Sequence, residues 1–478
     1  MKQIFLSKKG IEVLDVPSPR IGNKELLVNN HFSCISPGTE LSGIKSIQQG
    51  VLTRILKKPE ALRNLFNTFI KSDLRNTTRV VKRKLNTYFE LGYSSSGIVE
   101  EVGKDIQNFK KGDLVACSGG GYASHAEKIT VPENLAVKVS NLKNLNYYSS
   151  VALGAISLQS IRRLSPSIGE TFVVVGLGFI GQITMQILAA NGAKVLGIDP
   201  NKDFVEKAKE NGFDNSFLTF DELKNKTSVY LLENGLDGAI ITASGKSNEI
   251  ISNSFKICRK KSRVVVVGDV GLSIKREDIY KKEIDFFIST SYGPGRYDDQ
   301  YEKEGRNISK EYVRWTLNRN METYIDLIDN KKINLSNLMD KVDKIDNAKK
   351  LYDTFIKTKR PISAIIQYQK KKKNFELKEQ NPSIFEKNKF ISAVIGVGGF
   401  SQEILIPNLI KLEKINSINT LCLRRPVSVL NARKNYKDIN ITNNYDQILE
   451  NKNINVIFIT TRHNLHFPMI MKALKAGK

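Results

Sequence analysis

The chain has 478 residues, 40% of them hydrophobic, with 74 Lys+Arg against 49 Asp+Glu and a formal net charge of +25. That balance supports buried cores in about three domains and excludes global disorder. No apolar run reaches the roughly 20 residues that span a bilayer, and the start, MKQIFLSKKGIEVLDV, lacks a signal-peptide pattern. A cytoplasmic protein without a membrane partner is therefore expected. Cys34, Cys117, Cys258 and Cys422 are too scattered for a disulfide framework or a four-thiolate zinc site. The basic excess is spread along a Lys-, Asn- and Ile-rich chain with no nucleic-acid module. No nucleic-acid partner is expected, whereas an anionic small molecule fits the charge.

Residues 1–150 are predicted to be β-rich, with short alternating runs such as IEVLDV, ELLVNN, SGIVEEVG and DLVACSGG broken by Gly, Pro and Asn. Within them, about residues 45–90, the pattern turns basic and helical. From Val51 to Leu85 it reads as an inserted helix pair, its charges a solvated face or a binding surface. Residues 151–290 alternate strand and helix, as in TFVVVGLG, ITMQILAANG, KVLGIDP and RVVVVGDV, the rhythm of a doubly wound parallel sheet. Residues 291–368 return to mixed structure and end in a strand at ISAIIQY, extending the first domain. Residues 369–389 read as a charged linker, and residues 390–478 open a second βαβ series. The fold class is α/β: a β-rich domain, a Rossmann-type sheet and a second, partial Rossmann unit.

Two glycine loops carry the chemistry. Gly176, Gly178 and Gly181 form G-x-G-x-x-G between a strand and a helix, and Asp199 ends the next strand. The first glycine permits the turn, the second lets a pyrophosphate reach the backbone, and the third lets helix and strand close up. The helix N-terminus favours the phosphates. Asp199 would accept ribose hydroxyls and repel a 2′-phosphate, so NAD is expected here. The second loop, AVIGVGGFSQEILIPNL, keeps Gly396 and Gly398 but has Ser401 in third place. Arg424, with Arg425, stands where a ribose-binding carboxylate is absent, so NADP is expected there, with a degenerate empty site as the alternative.

These motifs resemble known families. SCISPGTEL, LGYSSSGIVEEVGKDIQNFKKGDLVA, YASHAEKITVPENLAVKVS and GLGFIG, in that order, are similar to the medium-chain (alcohol dehydrogenase-like) superfamily, which implies a GroES-like catalytic domain. The zinc-ligand positions depart from it. Ser36 or Pro37 replaces the loop cysteine, and Tyr93 and Ser94 replace the His-Glu pair, so no zinc is expected. A carbonyl would then be polarised by hydrogen-bond donors, for which Tyr93, Ser94, Thr39 and His125 are the candidates, Tyr93 also as proton donor. Each also reads as a loop-packing residue. SPGTE, the basic insert, GYSSSG, SYGPGRYD and YVRWTLNRNM together resemble the bi-domain oxidoreductases of bacterial surface-polysaccharide clusters. In them the first module is fused to a Gfo/Idh/MocA-type module. The SYGPGRYD turn would present Arg296 and Tyr297 to substrate, or be an ordinary surface turn. VIGVGGFSQEILIPNL and VIFITTRHNLHFPMIMKALKAGK resemble the start of the Gfo/Idh/MocA family, whose Glu-Lys-Pro motif is absent, as if that module were truncated.

The resemblance implies NAD(P)-dependent, zinc-independent hydride transfer on an alcohol/carbonyl pair of a sugar or nucleotide-sugar, by a homo-oligomer. A zinc-independent quinone or enoyl reductase on the same fold and a non-catalytic dinucleotide-binding scaffold are the alternatives.

Overall fold

The computed structural model describes residues 1–48, 87–226, 234–245, 247–339, 341–356, 361–369, 390–412 and 415–478. The helix pair expected between Val51 and Leu85 and nearly all of the expected linker lie outside them.

The N-terminal part is built on a seven-stranded sheet. Strands β1 (Lys2–Ser7), β2 (Gly10–Asp15) and β4 (Phe89–Glu90) form a small antiparallel sheet beside it. The larger sheet takes β3 (Glu25–Ile35), β5 (Ser94–Val102), β6 (Leu114–Ser118), β7 (Lys128–Pro132) and β8 (Ala136–Lys138). Its long central strand is buried at both ends, over Leu26–Val28 and Cys34–Ile35, and half-buried in between at Asn29, His31 and Phe32. Helix α1 (Pro37–Gln48) follows β3 directly.

The middle of the chain is the expected parallel sheet. β9 (Thr171–Val175), β10 (Lys194–Ile198), β11 (Ser216–Phe217), β12 (Leu236–Ile241), β13 (Cys258–Val266) and β14 (Asp285–Ile288) lie in the order β11-β10-β9-β12-β13-β14. TFVVV of β9 is buried throughout because the central strand is covered on both faces. Helices α2 (Val151–Leu164), α3 (Phe179–Ala190) and α4 (Leu317–Asp329) cover one face. α2 and α4 approach closely at Gly154, where a Cβ would stand 2.2 Å from the Tyr324 ring.

The chain then returns to the first sheet. β15 (Val342–Lys344) pairs with β16 (Ala364–Gln367), and β16 runs antiparallel to β3 with Ala364 opposite Ile35. The first domain is therefore closed by a segment more than 300 residues downstream of its opening strand, bonded to β3 through Ser33–Tyr368 and Cys34–Ser363.

Residues 390–478 form a four-stranded parallel sheet in the order β19-β18-β17-β20, from β17 (Phe390–Ile395), β18 (Asn416–Cys422), β19 (Asn440–Thr442) and β20 (Val456–Ile459). Helices α5 (Pro426–Asn435) and α6 (His463–Lys475) flank it. No helix among the described residues is long and apolar enough to cross a membrane.

Candidate functional site

The first glycine loop has the geometry its sequence implies. Gly176 adopts φ +99°, and a Cβ there would stand 2.5 Å from the Ala243 nitrogen. A Cβ on Gly181 would stand 1.9 Å from the Gly176 carbonyl oxygen, so only glycine lets α3 start against β9. Gly178 differs: a Cβ there meets nothing within 4 Å. It is the N-cap of a 12-residue helix with no side-chain cap, so the loop leaves room and free donors for a pyrophosphate. Asp199 is also part of the loop. Its Oδ2 accepts the Leu177 N–H at 2.7 Å and its Oδ1 the Asn201 N–H at 2.8 Å. The loop thus fits a dinucleotide, and Asp199 braces it, a role the sequence did not reveal.

Tyr93 stands in the turn before β5. Its ring lies on that of Tyr292, with centroids 6.4 Å apart and planes 27° from parallel. Its phenol oxygen is buried and has no hydrogen-bond partner. Burial pushes its pKa up to about 12, and the neighbouring Ser36 and Thr39 hydroxyls only partly offset this. The phenol therefore keeps its proton at neutral pH, with the Ser36 and Thr39 hydroxyls beside it. Thr39 is exposed in the first turn of α1.

Ser94 and His125 are engaged elsewhere, which corrects the expectation that they face substrate. The Ser94 hydroxyl donates to the Ser149 carbonyl at 2.6 Å and accepts the Ala152 N–H at 3.1 Å, so it clasps the start of α2. His125 is fully buried. Its Nδ1 bonds Ser33 Oγ at 2.7 Å and its Nε2 bonds Glu40 Oε2 at 3.1 Å. Glu40 also accepts the Ser36 N–H at 2.9 Å and the Tyr352 hydroxyl, while Ser33 bonds the Tyr368 hydroxyl at 2.6 Å. Both imidazole nitrogens are taken up by a buried network beneath the α1 turn.

The SYGPGRYD turn comes to the same place as Tyr93. Tyr292 joins them: the Arg296 guanidinium lies 5.3 Å from its ring centre and 4.2 Å from that of Tyr297. Arg296 is not open to an anion, because Glu302 pairs with it and both side chains are largely buried. Tyr297 is 68% exposed, at φ +68°. Nearby, Arg319 donates to the Val313 and Ile308 carbonyls, and Trp315 lies under Arg162, 3.6 Å from the ring centre.

Zinc needs three protein ligands in a catalytic site. Among the described residues no three His, Cys, Asp or Glu side chains gather. The Cys34 thiol is buried, 3.2 Å from Ser363 Oγ, and burial pushes it up to about 12. The described residues around Cys34 therefore do not supply the three ligands of a catalytic zinc.

In the second loop Gly396 has φ +85° and packs on Thr461, as a tight turn requires. Ser401 replaces the third glycine and bonds the Gly396 carbonyl at 3.3 Å and Thr460 Oγ1 at 2.6 Å. The helix opens with a wide π-type turn, Ser401–Leu405, which makes room for that side chain. Gly398 is open, with only the Gly396 oxygen at 4.0 Å. Arg424 and Arg425, expected to face a 2′-phosphate, instead pair with Glu25 and Glu90 of the first module.

Comparison with known proteins agrees with this architecture. The model for the alcohol dehydrogenase GroES-like domain matches residues 63–141, that for zinc-binding dehydrogenases residues 180–305, and that for the Gfo/Idh/MocA oxidoreductase family, NAD-binding Rossmann fold, residues 390–478. Mouse (Mus musculus) quinone oxidoreductase is 30% identical over 230 residues, 46% of this chain and 66% of that protein. An NAD-dependent alcohol dehydrogenase of Sulfurisphaera tokodaii is 24% identical over 214 residues, 39% of this chain and 61% of that one. The alignments thus span just under two thirds of these relatives. The crystal structure of galactitol-1-phosphate dehydrogenase from Escherichia coli superposes with a TM-score of 0.57 at 16% identity, covering 77% of this chain and all of that one. Fold and matches together show an alcohol dehydrogenase-like architecture, a GroES-like domain with a Rossmann-type sheet. In this chain that module is followed by a second Rossmann unit similar to the Gfo/Idh/MocA family.

Proposed function

We propose that the chain catalyses NAD(P)-dependent, zinc-independent hydride transfer on an alcohol/carbonyl pair of a sugar or nucleotide-sugar, in surface-polysaccharide biosynthesis. The N-terminal module is the working one, acting as a cytoplasmic homo-oligomer. The observation that carries the reading is the Tyr93 phenol, its oxygen buried and its proton held, in a module whose glycine loop fits a dinucleotide. Gly176, Gly178 and Gly181 would hold the pyrophosphate and Asp199 the adenosine ribose. A dinucleotide held there would supply the hydride-transfer chemistry. Tyr93 hydrogen-bonds the substrate oxygen and passes the accompanying proton, with the Thr39 hydroxyl as second donor. Ser94 and His125 act as positioning residues, the first through α2 and the second through the α1 turn. Arg296 shapes the substrate wall through Tyr292 and presents Tyr297, whose exposed ring suits a sugar face. The charge of the chain suits an anionic substrate.

The similarity to quinone oxidoreductase favours a second reading, in which the same phenol polarises a quinone or enone oxygen. A panel of nucleotide-sugars, free sugars and quinones, followed by NADH oxidation at 340 nm, separates the two. Turnover of quinones alone contradicts the sugar reading.

A further inference from the structure

The second Rossmann unit rests on the first module by a small polar face. Arg425 Nη2 donates to Glu90 Oε2 and to the Gly121 carbonyl, both at 2.6 Å. Arg424 Nη2 donates to Glu25 Oε1 at 3.0 Å. Asn431 exchanges two hydrogen bonds with the Tyr88 backbone, at 2.8 and 3.2 Å, and Asn443 donates to the Ser18 carbonyl at 2.7 Å. Lys434 lies over the Tyr88 ring at 4.5 Å.

These residues share one place in the fold. Arg424 and Arg425 follow β18, Asn431 and Lys434 lie on α5, and Asn443 follows β19. Arg424, Arg425 and Asn443 are thus at the carboxyl end of the sheet, where a parallel doubly wound fold binds the adenosine half of a dinucleotide, and Asn431 and Lys434 continue the face along α5. The end of the second strand is where the ribose is read, and arginine there suits a 2′-phosphate. The partners of both arginines are carboxylates, which bind a guanidinium fork as phosphate does.

The carboxylates are prepared for the role. Glu25 accepts the Gly22 N–H at 2.9 Å on its other oxygen, and Glu90 accepts from Gln3 at 3.3 Å. Their side chains are 13% and 11% exposed, while those of Arg424 and Arg425 are 49% and 45% exposed and within reach of a dissolved anion.

We propose that Glu25 and Glu90 occupy the subsite of a 2′-phosphate, so that a 2′-phosphorylated dinucleotide on the second loop and docking of the second unit are mutually exclusive. The inference rests on the reading of the second loop as an NADP site. Cofactor occupancy there releases the unit from the wall of the first module, and docking holds the second site closed.

The test uses the full chain with Gly178→Val, which blocks the first loop, and adenosine 2′,5′-bisphosphate as probe with AMP as control. Calorimetry gives affinity and small-angle scattering gives the arrangement of the units. Binding of the bisphosphate should enlarge the radius of gyration, and AMP should leave it unchanged. The variant E25Q/E90Q removes the competing charges and should bind the bisphosphate about tenfold more tightly or better. Arg424→Ala in that background should abolish the gain. Equal affinity with and without the glutamates, and unchanged scattering, overturns the competition while leaving the NADP site standing. Binding to none of these proteins overturns the NADP reading and the competition with it.

Discussion

The ring of Tyr93, ahead of β5, lies on the ring of Tyr292, which is 199 positions later and just beyond β14. This contact joins the catalytic-domain loop to the turn carrying Arg296 and Tyr297. Removal of the Tyr93 hydroxyl should leave the stack and remove a buried hydroxyl donor from the site. Tyr93→Phe is expected to lower kcat by about 10²–10⁴ with KM and NADH affinity little changed. Steady-state kinetics on any substrate that the screen identifies checks this. Because burial raises the phenol pKa to about 12, the proton-donor function should persist through pH 10.

The glycines of the first loop should separate by phenotype. Gly181→Ala puts a methyl 1.9 Å from a backbone oxygen and should cost about 1–3 kcal/mol or more, visible in urea melts. Gly178→Ala meets open space and should leave the melting temperature within a degree or two while weakening dinucleotide binding. Equal destabilisation by both would mean that the loop is only a packing device.

His125 is expected to matter for folding. His125→Leu removes one of the two side-chain partners of the buried Glu40 carboxylate, Tyr352 being the other, and should destabilise by about 1–3 kcal/mol. Turnover per folded molecule should fall far less than in Tyr93→Phe. A loss of kcat in fully folded His125→Leu as large as that of Tyr93→Phe would return the imidazole to the reaction.

All four cysteines are buried, and burial raises every thiol. Native protein at pH 8 should expose no thiol to Ellman's reagent, and denatured protein four. The alkaline limb follows from the same burial. Groups whose folded pKa is raised stabilise fully below their unfolded pKa, and that stability is lost as pH rises through the folded pKa. For the thiols the window opens near pH 9 and reaches about 12 for Cys34, Cys258 and Cys422. For Tyr93 and Tyr148 it runs from 10 to about 12. Melting temperature should fall steadily across that range.

The parallel sheets and the first glycine loop were legible because their signals are local: an apolar strand, a spaced set of glycines, an amphipathic helix. The jobs of Ser94, His125 and Arg424 were not, because their partners are set by tertiary contact. Ser94 caps a helix 55 residues away, His125 meets a carboxylate 85 residues away, and Arg424 meets one 399 residues away. Arg296 is different. Its partner Glu302 is six positions on, across a turn rich in glycine, and an acid at that spacing was a visible sign that the arginine is paired. Tyr93 was picked out as the replacement for a metal-ligating histidine, but its stacking on Tyr292 depends on the return of the chain after β14.

The most direct test of the central claim is fluorescence titration of the purified chain with NADH and NADPH, alongside Gly178→Val and Asp199→Ala. The account expects NADH binding that Gly178→Val abolishes and a preference for NADH over NADPH that Asp199→Ala relaxes. A folded protein that binds neither cofactor, or binds NADH equally well with valine at position 178, would contradict it.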